Sequence, residues 1–293
     1  MGTVLSSKDT NRVVPKQERV ENAFKKPTRK ALLIGLNYAG SDMEMPKCMD
    51  DIKRAKQYLM GCRRYREEDI VVLCDDDSVP PEALATTDNI LKEVQKIVSL
   101  KPDEVWFHFA GHSCGQDRRD PSREYRSNGA GILPLDHAEK GAIANNALAY
   151  KIINELSLVS SLIAITDSHN SGMDLGVPFK FRAGCTECEA ALAINKWHGA
   201  KNFVKLNRDC TVLCCSRDPK LADDLQVCRA WRTALSNGVY DILIENHSPV
   251  SNRCAISWKK LCEKLSKKMD DAGQSGSLVE LRFYKKSRLN QPI

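Results

Sequence analysis

Short runs of consecutive apolar residues alternate along the chain with longer segments whose apolar residues recur every three to four positions. The short runs are typical of strands that are buried on both faces, and the longer periodicity is typical of amphipathic helices. The predicted strands are 31–36, 70–74, 104–109, 131–135, 162–166, 210–215 and 278–283. The predicted helices are 48–60, 87–98, 146–156, 225–245 and 255–271. This alternation predicts an α/β sandwich with a mostly parallel central sheet.

Polar side chains follow two of the predicted strands directly. Strand 104–109 leads into Ala110-Gly111-His112-Ser113-Cys114, and strand 162–166 leads into Asp167-Ser168-His169-Asn170-Ser171-Gly172. In parallel α/β sheets, ligands bind at the carboxyl ends of the strands. We therefore expect the functional site to lie where these two motifs meet.

The two motifs resemble the paired active-site motifs of the metacaspases, which are caspase-like cysteine peptidases of clan CD. In that family, a His in a Ser-Gly-His-Gly-Gly context follows one strand, and a nucleophilic Cys in Asp-Ser-Cys-His-Ser-Gly follows another. Three further segments resemble the family in the same order along the chain: Lys30 to Tyr38, Cys48 to Asp51 and Cys215 to Asp218. The similarity extends over residues 30–288, so it implies a caspase-like α/β/α sandwich.

The position of the family's nucleophile is the clearest departure from this pattern. The resemblance identifies His112 as the retained catalytic His, but it places His169 where the family has its nucleophilic Cys. A thiolate attacks a peptide carbonyl because it is partly ionised and intrinsically nucleophilic. Imidazole forms acyl adducts that hydrolyse readily, and it is not the family's nucleophile. We therefore predict an inactive homologue of a cysteine endopeptidase.

Calcium binding is the second departure. The family uses calcium for activation, and its carboxylate ligands match positions that carry no acid in this chain, namely Asn145, Asn146, Gly129 and Gly176, although Asp174 lies close to the last. Calcium requires several anionic oxygens. We therefore expect no cofactor, with calcium binding lost or weak.

A pair of acidic residues is retained. Family members cleave after Arg or Lys, and the resemblance assigns their acidic specificity pocket to Asp51 and Asp167. A carboxylate pair suits a guanidinium or ammonium group. The expected partner is therefore a protein, either an active metacaspase or a basic peptide segment. The alternative is that Asp167 caps the following turn and Asp51 is a solvated charge at a helix start.

Two other functions remain open. A residual Arg- or Lys-directed endopeptidase would need another nucleophile, either Cys114 or a serine such as Ser168 or Ser171. A metal- or redox-responsive protein would use His112, His169 and Cys114, because imidazole and thiolate bind zinc.

The remaining cysteines give little support to a metal site. Only Cys185-Thr-Glu-Cys188 has metal-like or redox-like spacing, and no second pair at a zinc-finger spacing accompanies it. Without a secretory signal, the twelve cysteines are expected to be free thiols in a reducing compartment. We therefore predict that these cysteines are structural.

Most of the positive charge lies near the start of the chain. The first 30 residues hold eight basic and three acidic side chains, an excess of five in a chain of net charge +6. Residues 1–29 show no periodicity and are predicted as a flexible basic arm, before a domain of residues 30–288 and a tail of residues 289–293. The remainder is nearly neutral and shows no basic face, which argues against nucleic-acid binding.

The first residues also match a lipidation pattern. Met1-Gly2-Thr3-Val4-Leu5-Ser6 fits N-myristoylation of Gly2. One myristoyl chain binds a membrane only marginally, and the basic arm supplies a second signal for anionic lipids. No apolar run is long enough to span a bilayer, and the first residues lack a signal peptide's apolar region. We expect a cytoplasmic protein held peripherally on a membrane; the alternative is a solvated leader.

Overall fold

The computed structural model of the chain describes residues 27–114, 131–156, 160–168, 177, 179–186, 188–190, 209–217, 238–249, 253–271, 277–283 and 285–293. The strands in these residues are β1 (Arg29–Gly35), β2 (Ile70–Leu73), β3 (Glu104–Ala110), β4 (Ser113–Cys114), β5 (Gly131–Ile132), β6 (Ile143–Ala144), β7 (Ser161–Asp167), β8 (Phe179–Arg182), β9 (Glu189–Ala190), β10 (Asp209–Arg217), β11 (His247–Ser248), β12 (Arg253–Cys254) and β13 (Ser277–Phe283).

Eight of these strands form one sheet, in the order β2-β1-β3-β7-β10-β13-β8-β9. Strands β2, β1, β3, β7 and β10 run parallel to one another. Strand β13 is antiparallel to β10, and β8 and β9 continue the sheet in alternating directions. The predicted mostly parallel α/β architecture is therefore confirmed. Strands β4, β5 and β6 form a separate antiparallel sheet, and β11 pairs with β12.

Helices flank the central sheet. They are α1 (Cys48–Gly61), α2 (Thr87–Ser99), α3 (His137–Lys140), α4 (Asn145–Ala149), which continues as one π-helical turn (Tyr150–Asn154), α5 (residues 238–245) and α6 (Trp258–Asp271). Short 3₁₀ turns lie at Glu67–Asp69, Pro81–Ala83 and Lys286–Asn290. The start of α2 is capped, because the Thr86 hydroxyl accepts a hydrogen bond from the main-chain N–H of Asn89. No helix in the described segments is both long and apolar enough to span a membrane.

The predicted and observed elements differ in three places. The strand predicted at 131–135 is only Gly131–Ile132 and pairs within the small sheet, because Pro134 has no N–H to donate to a ladder. Strands β8 and β9 lie between residues 166 and 210, where no strand was predicted. Helix α6 begins at Trp258 rather than at 255. Residues 225–237 of the predicted helix 225–245 lie outside the described segments.

The amino ends of β1 and β3 are joined by side-chain contacts. The main-chain N–H and the hydroxyl of Thr28 donate to the Asp103 carboxylate at 2.7 and 2.9 Å. Arg63 and Tyr65 donate to Glu104 at 2.7 and 2.8 Å. Strand β1 therefore begins at a fixed point at the amino end of the sheet.

The last residues of the chain pack with the domain. Leu289 and Ile293 are buried in the hydrophobic core. Both belong to the predicted tail of residues 289–293. The main-chain N–H of Ile293 donates to the carbonyl of Ile256 at 3.2 Å. The described part of the domain thus includes both of these residues.

Candidate active site

Three residues lie side by side at the carboxyl ends of the central strands. Gly35 of β1 pairs with Ala110 of β3, which pairs with Asp167 of β7. Paired residues in neighbouring strands share a face of the sheet, and alternate residues along a strand share it too. His108 and Trp106, two and four residues before Ala110, therefore lie on the same face as Asp167.

Helix α1 begins directly over this row. A Cβ atom on Gly35 would lie 2.7 Å from Cγ1 of Ile52 and 2.8 Å from the sulfur of Met49. Only glycine lets the first turn of α1 approach the sheet so closely. Asp51, which precedes Ile52, is thereby brought to the same face and the same end of the sheet as Asp167.

Both predicted pocket carboxylates are buried. Asp51 and Asp167 are each 1% exposed, which excludes the alternative that Asp51 is a solvated charge. They also lie near one phenol: burial is the largest cause of the raised pKa of Tyr240, and the charges of Asp51 and Asp167 raise it further. Carboxylate oxygens accept charge-assisted hydrogen bonds from guanidinium and ammonium groups, so an acidic pair at this position is chemically compatible with a basic ligand.

His112 is held just past the end of β3. Its main-chain N–H donates to the Tyr38 hydroxyl at 3.0 Å, and that hydroxyl donates to the Leu133 carbonyl at 2.6 Å. Its ring nitrogen Nε2 is 2.8 Å from the Met43 carbonyl oxygen. A carbonyl only accepts, so Nε2 carries a proton, and in the neutral form of the ring the lone pair is on Nδ1.

Gly111 joins the two predicted motifs. Its main-chain N–H donates to the carbonyl of Asp167 at 3.3 Å. A Cβ atom here would lie 2.6 Å from Cζ of Phe109 and 3.1 Å from the Tyr38 hydroxyl. The predicted meeting of the His112 and Asp167 motifs at one end of the sheet is thus seen in the described residues.

Cys114 lies on β4, in the small sheet. Its thiol donates to the Gly131 carbonyl, with an S···O distance of 3.6 Å, and its main chain pairs with Gly131. The side chain is half-buried. Ser168 is buried directly after β7. His169, Ser171 and Gly2 lie outside the described residues, so their roles stay predictions.

The calcium positions can be followed only in part. Asn145 begins α4 and is buried, and neither its amide oxygen nor its amide nitrogen has a hydrogen-bond partner among the described residues. Asn146 follows it in α4, whereas Gly129 and Gly176 lie outside the described segments. Calcium prefers several anionic oxygens. The Asn145 amide oxygen can ligate calcium but carries no negative charge, so the loss or weakening of calcium binding stays a prediction.

Within the described residues, no group of three or more His, Cys, Asp or Glu side chains is arranged to hold a metal ion. The ten cysteines whose side chains are described are free thiols. Cys185 and Cys188 are half-buried at the β8–β9 connection and pack against the hydrophobic core. Cys262 is inert, because burial raises the pKa of its thiol to about 12.

Sequence patterns did not single out His108 or Tyr240. The Tyr240 hydroxyl is 2.9 Å from Nδ1 of His108, and the two residues are 132 positions apart. His108 stands inside an apolar run, and Tyr240 stands inside a predicted helix, so each had the pattern of a core residue. An imidazole between Phe107 and Phe109 was the one available signal.

Comparisons with known proteins agree with this geometry. A family model described as metacaspase, peptidase C14 domain, matches residues 29–178. Metacaspase-1 of Pyricularia oryzae is 34% identical over 155 residues, which are 52% of this chain and 39% of that protein. Metacaspase-1 of Mycosarcoma maydis is 32% identical over 166 residues, 56% of this chain and 40% of that protein. The match therefore spans about two fifths of the length of these relatives.

One solved structure resembles the fold over most of its length. Protein GSU0716 from Geobacter sulfurreducens superposes with a TM-score of 0.52 at 14% sequence identity, covering 91% of this chain and 98% of that chain. At this identity the likeness concerns the fold alone. Together with the family match, it confirms the predicted caspase-like α/β/α sandwich.

Proposed function

Because the chain belongs to the metacaspase family of cysteine peptidases, we propose that it is a pseudopeptidase that binds a protein partner without cleaving it. The observation that carries this proposal is the buried acidic pair. Asp51 and Asp167 are both 1% exposed at the end of the sheet where family motifs meet, while the nucleophile position holds His169. The site thus retains groups for binding and lacks the thiol for covalent attack.

The proposed ligand is a basic peptide segment of a protein partner, and an active relative is one such partner. Its Arg or Lys side chain would be held by the carboxylates of Asp51 and Asp167 through charge-assisted hydrogen bonds. His112 would lie beside the bound segment with Nδ1 as an acceptor. Bound peptide would then be released intact, because no thiolate adds to its carbonyl.

We place this binding at the cytoplasmic face of a membrane. The support is the myristoylation pattern at Gly2 and the basic residues behind it. Thr28 lies at the amino ends of β1 and β3. Asp167 is the last residue of β7, and His112 lies two residues after the carboxyl end of β3. Seven-residue strands separate the two ends by roughly 20 Å. An arm tethered to lipid would therefore join the folded domain at the end of the sheet opposite the acidic pair.

A peptide-binding experiment tests the proposal. The full chain is titrated calorimetrically with an Arg-terminated peptide amide and with the same peptide carrying citrulline, which is neutral and nearly isosteric. We expect measurable binding of the Arg peptide, weaker binding of the citrulline peptide, and loss of the preference in Asp51→Asn and Asp167→Asn. Equal affinity for both peptides in the wild-type chain would exclude the acidic pair as a cation-binding site.

A second candidate is residual endopeptidase activity, which the position of His112 just past the carboxyl end of β3 favours, since an imidazole can act as a general base for a nucleophile. Cys114 is the candidate thiol. Mass spectrometry of the Arg peptide after long incubation distinguishes the two functions. Cleavage that both His112→Ala and Cys114→Ser abolish would support the peptidase and refute the pseudopeptidase.

A further inference from the structure

A buried imidazole–phenol pair lies directly beneath the row of Gly35, Ala110 and Asp167. His108 is two residues before Ala110 on β3, on the same face and about 7 Å further from the strand end. Its Nδ1 atom is 2.9 Å from the hydroxyl of Tyr240, which comes from α5. Both side chains are fully buried. The pair therefore connects α5 to the centre of the sheet below the carboxylates.

The pair adds no charge to the site. Burial lowers the pKa of His108 to about 3, and burial also raises the pKa of Tyr240 well above its usual value. Both groups are neutral at physiological pH. A cationic imidazole in this position would place a positive charge near the two carboxylates, and the neutral pair does not.

Helix α5 also contacts α1, which carries Asp51. The ring of Tyr240 packs against that of Tyr58 on α1, with 5.6 Å between the centroids. Asp241, the next residue on α5, forms an ion pair with Arg54 of α1 and another with Lys268 of α6 at 2.9 Å. Helix α5 thus contacts α1 at two points, which lie in the second and third turns of α1.

These two contacts fix where Asp51 lies. Asp51 is one turn before Arg54 and two turns before Tyr58 on the same helix, and residues seven apart share a helix face. Asp167 is fixed separately by the sheet, through its pairing with Ala110. The separation of the two carboxylates therefore depends on how α1 packs on the sheet. The His108–Tyr240 hydrogen bond attaches α5, which contacts α1, to β3.

We propose that Tyr240 is a positioning residue that sets the spacing of Asp51 and Asp167 and thereby the selectivity for a guanidinium group. The assignment rests on the proposed binding of a basic segment by these carboxylates. Selective recognition of a planar guanidinium requires carboxylate oxygens at a fixed spacing. Loosening α5 from β3 would let the oxygens move and would weaken the preference for Arg.

The test uses Tyr240→Phe in the full chain, with Tyr58→Phe as the matched control. Both substitutions keep a buried ring, but only Tyr240 bonds a buried partner; the Tyr58 hydroxyl has no hydrogen-bond partner among the described residues. Calorimetry gives the ratio of the dissociation constants of the citrulline and Arg peptides. This ratio is insensitive to a uniform loss of folded protein, so a merely structural role would not change it.

We expect Tyr240→Phe to lower the ratio at least fivefold and Tyr58→Phe to leave it within twofold of the wild-type value. A wild-type preference for Arg that Tyr240→Phe retains would overturn the positioning role alone. A wild-type chain with no preference would overturn the proposed function and this role with it. If Tyr240→Phe does not fold, Asp241→Asn, which breaks the contact with Arg54, takes its place: a reduced ratio supports the role, and an unchanged ratio refutes it.

Discussion

The ring nitrogen Nε2 of His112 lies 2.8 Å from the main-chain oxygen of Met43. This contact joins His112, which lies two residues after β3, to the loop between β1 and α1. It orients the ring with a proton on Nε2. A base with this tautomer serves a nucleophile only if one is present, and the chain has His169 where its family has Cys. Under the proposed function, this ring orientation is retained without a thiol at position 169.

Restoring the thiol is the direct test of this view. We expect His169→Cys to give slow cleavage of an Arg peptide, because Nδ1 of His112 can accept the thiol proton. The rate is not expected to rise with millimolar calcium, because Asn145 and the other family calcium positions carry no acid. Peptide hydrolysis with and without calcium measures both points.

The double substitution His169→Cys with His112→Ala is the control and is expected to abolish the restored activity. Strong calcium-stimulated turnover in His169→Cys would show that the chain retains a calcium site. Turnover in the wild-type chain that disappears in His112→Ala would refute the inactive assignment itself.

The close approach of α1 to β1 gives a second prediction. In Gly35→Ala, the new Cβ atom would meet Ile52 and Met49 at 2.7 and 2.8 Å, so the first turn of α1 must move outward with Asp51. Overpacking of this kind costs about 1–3 kcal/mol in the free energy of unfolding. We also expect weaker binding of the Arg peptide, measured by calorimetry beside denaturant unfolding.

Gly61→Ala is the matched control on the same helix, because nothing lies within 4 Å of the new Cβ atom. It is expected to leave binding unchanged and to be neutral or stabilising by up to about 1 kcal/mol. Equal stability and equal Arg affinity in Gly35→Ala and Gly61→Ala would contradict the packing of α1 that places Asp51.

The sequence singled out Asp51 and Asp167 but gave no sign of the His108–Tyr240 pair. Asp51 and Asp167 each stand in a segment that resembles a family motif, and their role in binding stays a proposal. Strand pairing places Asp167 at the carboxyl end of the sheet, and the close packing of α1 on Gly35 brings Asp51 to the same end. His108 and Tyr240 were missed because a polar atom inside an apolar run has no local pattern, and their contact spans 132 positions. Such pairing arises from tertiary packing alone.

The same limit applies to the sheet. The parallel strands are continuous apolar runs and were predicted within one or two residues. Strand β8 is only four residues, Phe179–Arg182, and alternates aromatic and basic side chains. It is stabilised by its pairing with β13 and by Lys286 and Lys259 over the rings of Phe179 and Phe181. These partners lie about 80 to 100 positions away, so a local pattern could not reveal them.

The buried His108 predicts a specific dependence of stability on pH. Its pKa is lowered by burial from the ordinary 6.5 to about 3. As the pH falls below about 6.5, the unfolded imidazole binds a proton and the folded one does not, so the free energy of unfolding decreases. The slope from this one group approaches about 1.4 kcal/mol per pH unit.

Denaturant unfolding of the wild-type chain and His108→Gln, between pH 7.5 and 5, measures this slope. Gln stays neutral throughout, so the variant is expected to lose most of the slope even if it is less stable at pH 7.5. Burial raises the pKa of Asp69, but Arg66 and Lys30 lower it by more, so the net pKa is below its usual value. Such carboxylates gain protons only below about pH 4, which is outside this window. An identical slope in both proteins would show that His108 is not buried as a neutral group.

The last prediction concerns membrane association, which depends on two weak contributions to the free energy of binding. Myristate contributes roughly 0.8 kcal/mol per buried CH₂, which yields only reversible binding for a single chain. Each basic residue near an anionic surface adds about 1 kcal/mol, and salt screens this attraction. Binding therefore requires both the acyl chain on Gly2 and the basic residues that follow it.

The protein is expressed with an N-myristoyltransferase and sedimented with vesicles that contain phosphatidylserine. This experiment separates the contribution of the acyl chain from that of the basic residues. Wild-type protein is expected to sediment at low salt and to be partly released at high salt. Gly2→Ala should abolish sedimentation, whereas neutralising Lys8, Arg12, Lys16 and Arg19 should weaken it and leave acylation intact by mass spectrometry. The arm joins the fold at Thr28, far from Asp167, so the Arg peptide should bind equally well to vesicle-bound and free protein. Undiminished sedimentation of Gly2→Ala would show that the lipid anchor is wrong and that the folded domain or its basic arm alone holds the membrane.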